Sequence, residues 1–220
     1  MEAFEKEIEK VKANLVLMAD NISKMIREAI EGLEKREKKL LENVFLSEPQ
    51  IDAMEIKNEK EIISLFARFQ PEASDLRTLS MALFINRDLE RIGDHSENIA
   101  ESGIKYLEYP PVKPLIDIPR MAEISSDMLK DVIRAFIEKD SKLAVDVIKR
   151  DNDVDRLRDQ IIMELTSFMV SDPKTIRPAV LLINITQHIE RIADLATNLA
   201  EEAIYIIDGK VARHQDLRKL

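Results

Sequence analysis

Cysteine is absent from this chain. Its absence removes disulfides, thiolate metal sites and thiol nucleophiles together. Any metal would therefore sit on oxygen or imidazole ligands. Tryptophan is also missing, glycine occurs only four times and proline eight times in 220 residues, and aromatics make up 5%. No glycine-rich phosphate loop is present. A basic stripe is lacking too: the net charge is −9, which argues against a general nucleic-acid binder. No apolar run reaches ~18 residues, so no transmembrane helix is expected. The start, "MEAFEKEIEKVKANL", is charged and has no continuous apolar core of the kind a secretory signal carries. A cytoplasmic location is the expectation.

What remains is dominated by Ala, Leu, Ile, Met, Glu, Lys and Arg, mostly strong helix formers. Hydrophobic residues are 45% of the chain, enough for a real core. Apolar residues recur in steps of three and four at Ile8, Val11, Leu15, Met18, Ile22, Met25, Ile26, Ala29 and Leu33, the helical period. A turn is expected near Gly32 to Lys35. A second helix should follow from Glu37 to Phe69, kinked or interrupted at Pro49. "QPEASD" reads as a turn with an N-cap at Ser74 or Asp75. A third helix should cover Asp75 to Leu107. "EYPPVKPLIDIP" then places four prolines between Glu108 and Pro119, the one clear linker. Beyond it the pattern starts again, with helices expected at Arg120 to Ile137, Lys142 to Val170 and Thr175 to Ile207.

The halves are related. Met18-Ala19 matches Met121-Ala122 and Ile51-Asp52 matches Val154-Asp155, both 103 residues apart; Arg77 matches Arg177 and Glu90 matches Glu190, 100 apart. Seven of the fifteen positions in 87–101 are identical at the second offset. A unit of this length is too long for a small solenoid repeat. The reading is an all-α chain of two tandem three-helix bundles: residues 1–108, a proline-rich linker at 109–119, and residues 120–220.

The third helix of each half carries chemistry. Ile85, Leu89, Ile92, Ser96 and Ile99 form a core seam. Glu90, Asp94, Glu97, Asn98 and Glu101 form a second stripe about 100° round the helix. The sixth helix repeats the stripe with Glu190, Asp194, Asn198 and Glu201, but Thr197 stands where Glu97 was. The preceding helices add Asp52, Glu55 and Glu59 in one half and Asp151, Asp155 and Asp159 in the other. Residues four apart share a face. If these stripes meet, their carboxylates repel and raise one another's pKa unless a cation bridges them. The plain alternative is a solvated charged face.

Other residues carry less. His95 and His188 sit squarely on neither stripe and read as partly exposed histidines. Arg91 and Arg191 suit ion pairs, Arg91 with Asp88 three residues earlier. Met18, Met25, Met121 and Met128 match core spacing. Di-iron carboxylate oxidases use Glu-x-x-His on two helices; here Ile92, Ile185 and Val211 stand three before His95, His188 and His214. A binding or regulatory protein is therefore preferred to an enzyme. A metal-free helical scaffold is the alternative, and a carboxylate-bridged metal oxidase a more distant one.

"QPEASDLRTLSMALFINRDLERIGDHSENIAE", from Gln70 to Glu101, resembles the signature of the PhoU family of phosphate-uptake regulators, and "IRP" and "IERIADLATNLAE" preserve part of it in the second half. The resemblance implies two similar three-helix bundles in a cytoplasmic protein working at the inner face of the membrane. It implies partners too: components of the phosphate-specific ABC transporter, which family members restrain, and a sensor histidine kinase. Homo-oligomerisation stays open. It also implies multinuclear metal clusters on paired acids: Glu90 with Asp94 facing Glu55 with Glu59, and Glu190 with Asp194 facing Asp155 with Asp159. Iron comes first through the family, with Zn, Mn, Mg and Ca as alternatives; hardness favours oxygen-loving ions. Thr197 stands where Glu97 was, so the two sites should be related but not identical; Arg158 falls where Glu55 stands in the first half.

Overall fold

The computed structural model describes residues 2–208; His214 and Val211 lie outside them. Six α-helices run through the described residues: α1 (Glu2–Lys35), α2 (Lys38–Phe69), α3 (Ala73–Tyr106), α4 (Asp117–Glu138), α5 (Ser141–Ser171) and α6 (Ile176–Asp208). A single 3-10 turn, Pro173–Thr175, precedes α6. The first three helices pack mutually, as do the last three, and the halves meet through α3 against α6 and α1 against α4. Their buried apolar side chains form one continuous core across both halves. None of the described helices is long and apolar enough to cross a membrane.

The repeat inferred from the sequence is present in the packing. On α2, Leu41, Val44, Ile51, Asn58 and Ile62 are buried; 103 residues on, α5 buries Ala144, Val147, Val154, Ile161 and Leu165. On α3 and α6 the 100-residue offset pairs buried Ile85, Leu89, Ile92 and Ile99 with buried Ile185, Ile189, Ile192 and Leu199. Even the chain reversals correspond. Arg36 between α1 and α2 and Lys139 between α4 and α5, again 103 apart, both take the left-handed conformation, with φ of 53° and 56°. Neither is glycine, so each reversal accepts a modest conformational cost.

Several boundaries differ from the sequence expectation. The break after α1 is the single reversal at Arg36, whose Nη2 donates to the carbonyls of Leu107 (2.8 Å) and Tyr109 (2.7 Å). Thus the first turn clamps the end of α3. Pro49 does not interrupt α2, because the buried stripe of Leu41, Val44 and Ile51 runs past it while Pro49 itself faces solvent. Packing on both sides outweighs the one lost backbone hydrogen bond. Neither Ser74 nor Asp75 caps α3; the cap is Glu72, without a side-chain bond. Helix α4 starts at Asp117, so Pro119 lies in its first turn, where a missing N–H costs nothing.

Candidate acidic sites on the two repeats

Close backbone approach builds the first site. Gly93 on α3 lies against Ile51 on α2; a Cβ at position 93 would stand 3.2 Å from the Ile51 Cγ2. The next residue on each helix is an acid, Asp94 and Asp52. A second tie lies about two turns along: Asn86 Nδ2 donates to the Glu55 carbonyl (2.9 Å), and Asn58 Nδ2 donates to Asn86 Oδ1 (3.0 Å). This buried amide pair fixes α2 against α3 where their acids face each other.

The electrostatics bear out the expected crowding. Burial raises the Glu90 pKa, and the charges of Asp94, Asp52 and Glu55 add to it, with Arg91 opposing. Burial and Asp52 raise Asp94; burial, Glu59 and Asp52 raise Glu55. Glu97 rises through burial, Asp94, Glu101 and Asp52. The largest effect falls on Glu48, pushed up to about 7 by burial, by the charge of Asp52 and a hydrogen bond with it, and by Glu97 and Asp94. Glu48 was missed from the sequence, although it lies four residues before Asp52 and 103 before Asp151. Asn98 and Glu101 are turned to local partners: Asn98 Nδ2 donates to the Asp94 carbonyl (2.7 Å), and Glu101 pairs with Lys105 (2.6 Å). Among the described residues, no three carboxylate or imidazole groups converge closely enough to hold an ion as they stand.

The second site is organised differently. The Arg158 guanidinium sits among the acids: Nη1 donates to Asp155 Oδ1 (2.8 Å) and to Glu190 Oε1 (2.7 Å), while Nε and Nη2 donate to Asp159 Oδ1 (3.0 and 2.9 Å). Burial disfavours its charge, but these bonds and the charges of Asp155 and Asp159 outweigh that and hold its pKa above the usual value. Asp151 is buried on α5, Asp194 is half-buried, Glu201 is half-buried and Asn198 is exposed on α6. Thr197, in place of Glu97, is buried with its hydroxyl unpartnered.

The histidines are partly exposed, as expected, but they also meet one another. His95 and His188 are half-buried where α3 meets α6, with Nδ1 atoms 3.2 Å apart. Burial, His188, Arg191 and Arg91 lower the His95 pKa to about 4; burial and Arg191 lower His188, with Glu101 opposing. Helical angles alone conceal this contact, because it depends on how α3 and α6 cross. Asp88 pairs with Arg91 (3.2 Å) along α3, as the spacing suggests.

Fold and site together define a class: a duplicated three-helix bundle carrying an acidic face in each copy, with related but unequal side chains on it. The PhoU domain family model matches residues 15–103 and 118–203, one match per bundle. The chain belongs to the PhoU family. It is 40% identical to the phosphate-specific transport system accessory protein PhoU homolog of Aquifex aeolicus, over 97% of each chain. It is 32% identical to PhoU homolog 2 of Thermotoga maritima, over 96% of this chain and 91% of that one. The crystal structure of PhoU from Pseudomonas aeruginosa superposes with a TM-score of 0.90 at 31% identity, covering 94% of this chain and 100% of that one.

Proposed function

We propose that this chain is a cytoplasmic regulator of phosphate uptake. It restrains a phosphate-specific ABC transporter and passes the phosphate state to a sensor histidine kinase at the inner face of the membrane. The observation that carries this reading is full-length similarity to proteins named as accessory to phosphate-specific transport. Those names describe an accessory role, in keeping with a binding protein rather than an enzyme. The test is deletion of the gene followed by measurement of phosphate uptake and of phosphate-responsive expression in phosphate-replete cells. Both should escape repression and return to normal on complementation. Unchanged uptake and expression would refute the assignment.

The first acidic groove is read as the metal site, iron being the family's expectation. Asp52, Glu55, Glu90 and Asp94 would hold the metal, with Glu48, Glu59 and Glu97 around them. The donor chemistry fits: these are oxygen ligands, and burial followed by neighbouring carboxylate charge raises the pKa values of Glu90, Asp94 and Glu55, a penalty that a bound cation would relieve. The metal supplies positive charge. The chain's own part is to hold α2 against α3, through Gly93, Ile51 and the Asn58–Asn86 pair, so that the acids lie within reach. Loading requires rotation of half-exposed side chains. A metal-free scaffold is the second reading, favoured by the lack of convergence among donors. Elemental analysis of protein purified without chelator separates the two: bound metal lost on Glu90→Ala with Asp94→Ala supports the first, and none in the unaltered chain the second.

A further inference from the structure

We propose that Arg158 is a built-in counter-ion that takes the place of metal in the second repeat, so that only one of the two duplicated acidic sites responds to metal. The inference rests on reading the first groove as a metal site.

Equivalent positions in the two repeats carry the argument. Seven acids mark the first groove: Glu48, Asp52, Glu55, Glu59, Glu90, Asp94 and Glu97. At the matching positions the second repeat has Asp151, Asp155, Arg158, Ile162, Glu190, Asp194 and Thr197, which is four acids, one cation and two uncharged residues. The replacement of Glu55 is the decisive one, because it reverses the sign of the charge at the position facing Glu190. The guanidinium does there what a metal would do: it bridges the two helices, taking Asp155 from α5 and Glu190 from α6 on one nitrogen. A planar guanidinium with five donors suits several carboxylates at once.

Burial makes this more than a surface pair. The Arg158 and Glu190 side chains are 26% and 20% exposed, against 68% for Asp159. Asp159 is thus a peripheral, screened contact, and the bridge to Asp155 and Glu190 is the sheltered one. A divalent ion entering this groove would have to displace a permanently charged side chain from Asp155, Asp159 and Glu190, and would then face its repulsion. Among the described residues no guanidinium bridges the acids of the first repeat in this way: the charges that raise Glu48, Glu55, Glu90, Asp94 and Glu97 are neighbouring carboxylates, and Arg91 opposes them at Glu90. Consequently the acids of α5 and α6 are bridged without metal, whereas those of α2 and α3, though their helices are tied by Asn58, Asn86 and Gly93, have a bridge between carboxylates only when a cation is added. Any metal-dependent change of shape is confined to the first bundle and the surfaces it presents.

The test counts bound Mn2+ by electron paramagnetic resonance in the full-length chain, with circular dichroism to verify folding of each variant. In the unaltered chain, Glu190→Gln with Asp194→Asn should leave bound Mn2+ unchanged. Arg158→Glu should gain bound Mn2+, and the gain should be lost when Glu190→Gln and Asp194→Asn are added. Arg158→Lys, which keeps the charge, should gain none. A loss of bound Mn2+ from the unaltered chain on altering Glu190 and Asp194 overturns the proposal. So does an Arg158→Glu chain that folds and gains nothing. Failure of the first-site reading looks different: Glu90→Gln with Asp94→Asn would leave bound Mn2+ unchanged, while the Arg158→Glu gain would still report on the counter-ion.

Discussion

Replacing Glu48 by Gln should stabilise the metal-free protein at alkaline pH. Glu48 has its carboxyl pushed up to about 7 from an ordinary 4.5. A carboxyl raised in the folded state contributes stability that is fully present below its unfolded pKa and is lost as pH rises through the folded value. The relevant window therefore runs from 4.5 to about 7. At about 1.4 kcal/mol per pH unit the penalty on the ionised carboxyl, from burial first and the charge of Asp52 next, is bounded near ~3 kcal/mol. The groove is solvent-facing, and screening reduces this to roughly 1 kcal/mol. For a chain of this size, that corresponds to a rise in Tm of about 2–4 °C. The assay is thermal unfolding by calorimetry in chelator, from pH 4.5 to pH 8, with Glu48→Gln compared against the unaltered chain at each pH. The difference matters more than either curve. His95, held near 4, loses stability in the opposite direction as pH falls below 6.5, and the subtraction removes it. The difference should be near zero at pH 4.5, grow to its full value by pH 8, and shrink with added salt. A difference independent of pH, or a lower Tm for the variant at pH 8, would refute the crowding argument.

Three further outcomes follow from the packing. Gly93→Ala should cost about 1–3 kcal/mol by pressing a methyl onto Ile51; the second repeat carries Ala193 and Val154 at these positions, so adding Ile51→Val should recover much of the loss in a double-mutant unfolding cycle. Asn86→Ala should cost about 1–3 kcal/mol, since it leaves Asn58 and the Glu55 carbonyl without their bonds; the pair Asn58→Ile with Asn86→Thr, copying Ile161 and Thr186, should cost less than the sum of its single changes. His95 should remain neutral at pH 6 and protonate only near pH 4, read from its ring nitrogen shifts by NMR; protonation near 6.5 would contradict its burial against His188.

The helices and the repeat were legible because both are periodic. A buried stripe repeating every three or four residues identifies a helix, and two offsets, 103 and 100, predict which residues of α2 and α5, or of α3 and α6, are equivalent in the core. Pro49 does not interrupt α2 for a related reason: propensity is local, but the stripe from Leu41 to Ile51 is held by neighbouring helices. The acidic face of α3 was readable from spacing, yet Glu48 was not singled out, since the largest cause of its shift is burial, which the packing of α2 on its neighbours sets, even though Asp52 lies only four residues on along the same helix.

By itself, then, the sequence determined an all-α duplicated chain, the register of its repeats and the faces that bear its acids, because helical periodicity is written residue by residue. Tertiary structure alone decided what those faces meet. It set Gly93 on Ile51 so that Asp52 and Asp94 draw together, brought His95 to His188 across the seam between the bundles, and placed the Arg158 guanidinium among Asp155, Asp159 and Glu190. These contacts depend on how helices cross and how closely they approach, which no single helix encodes.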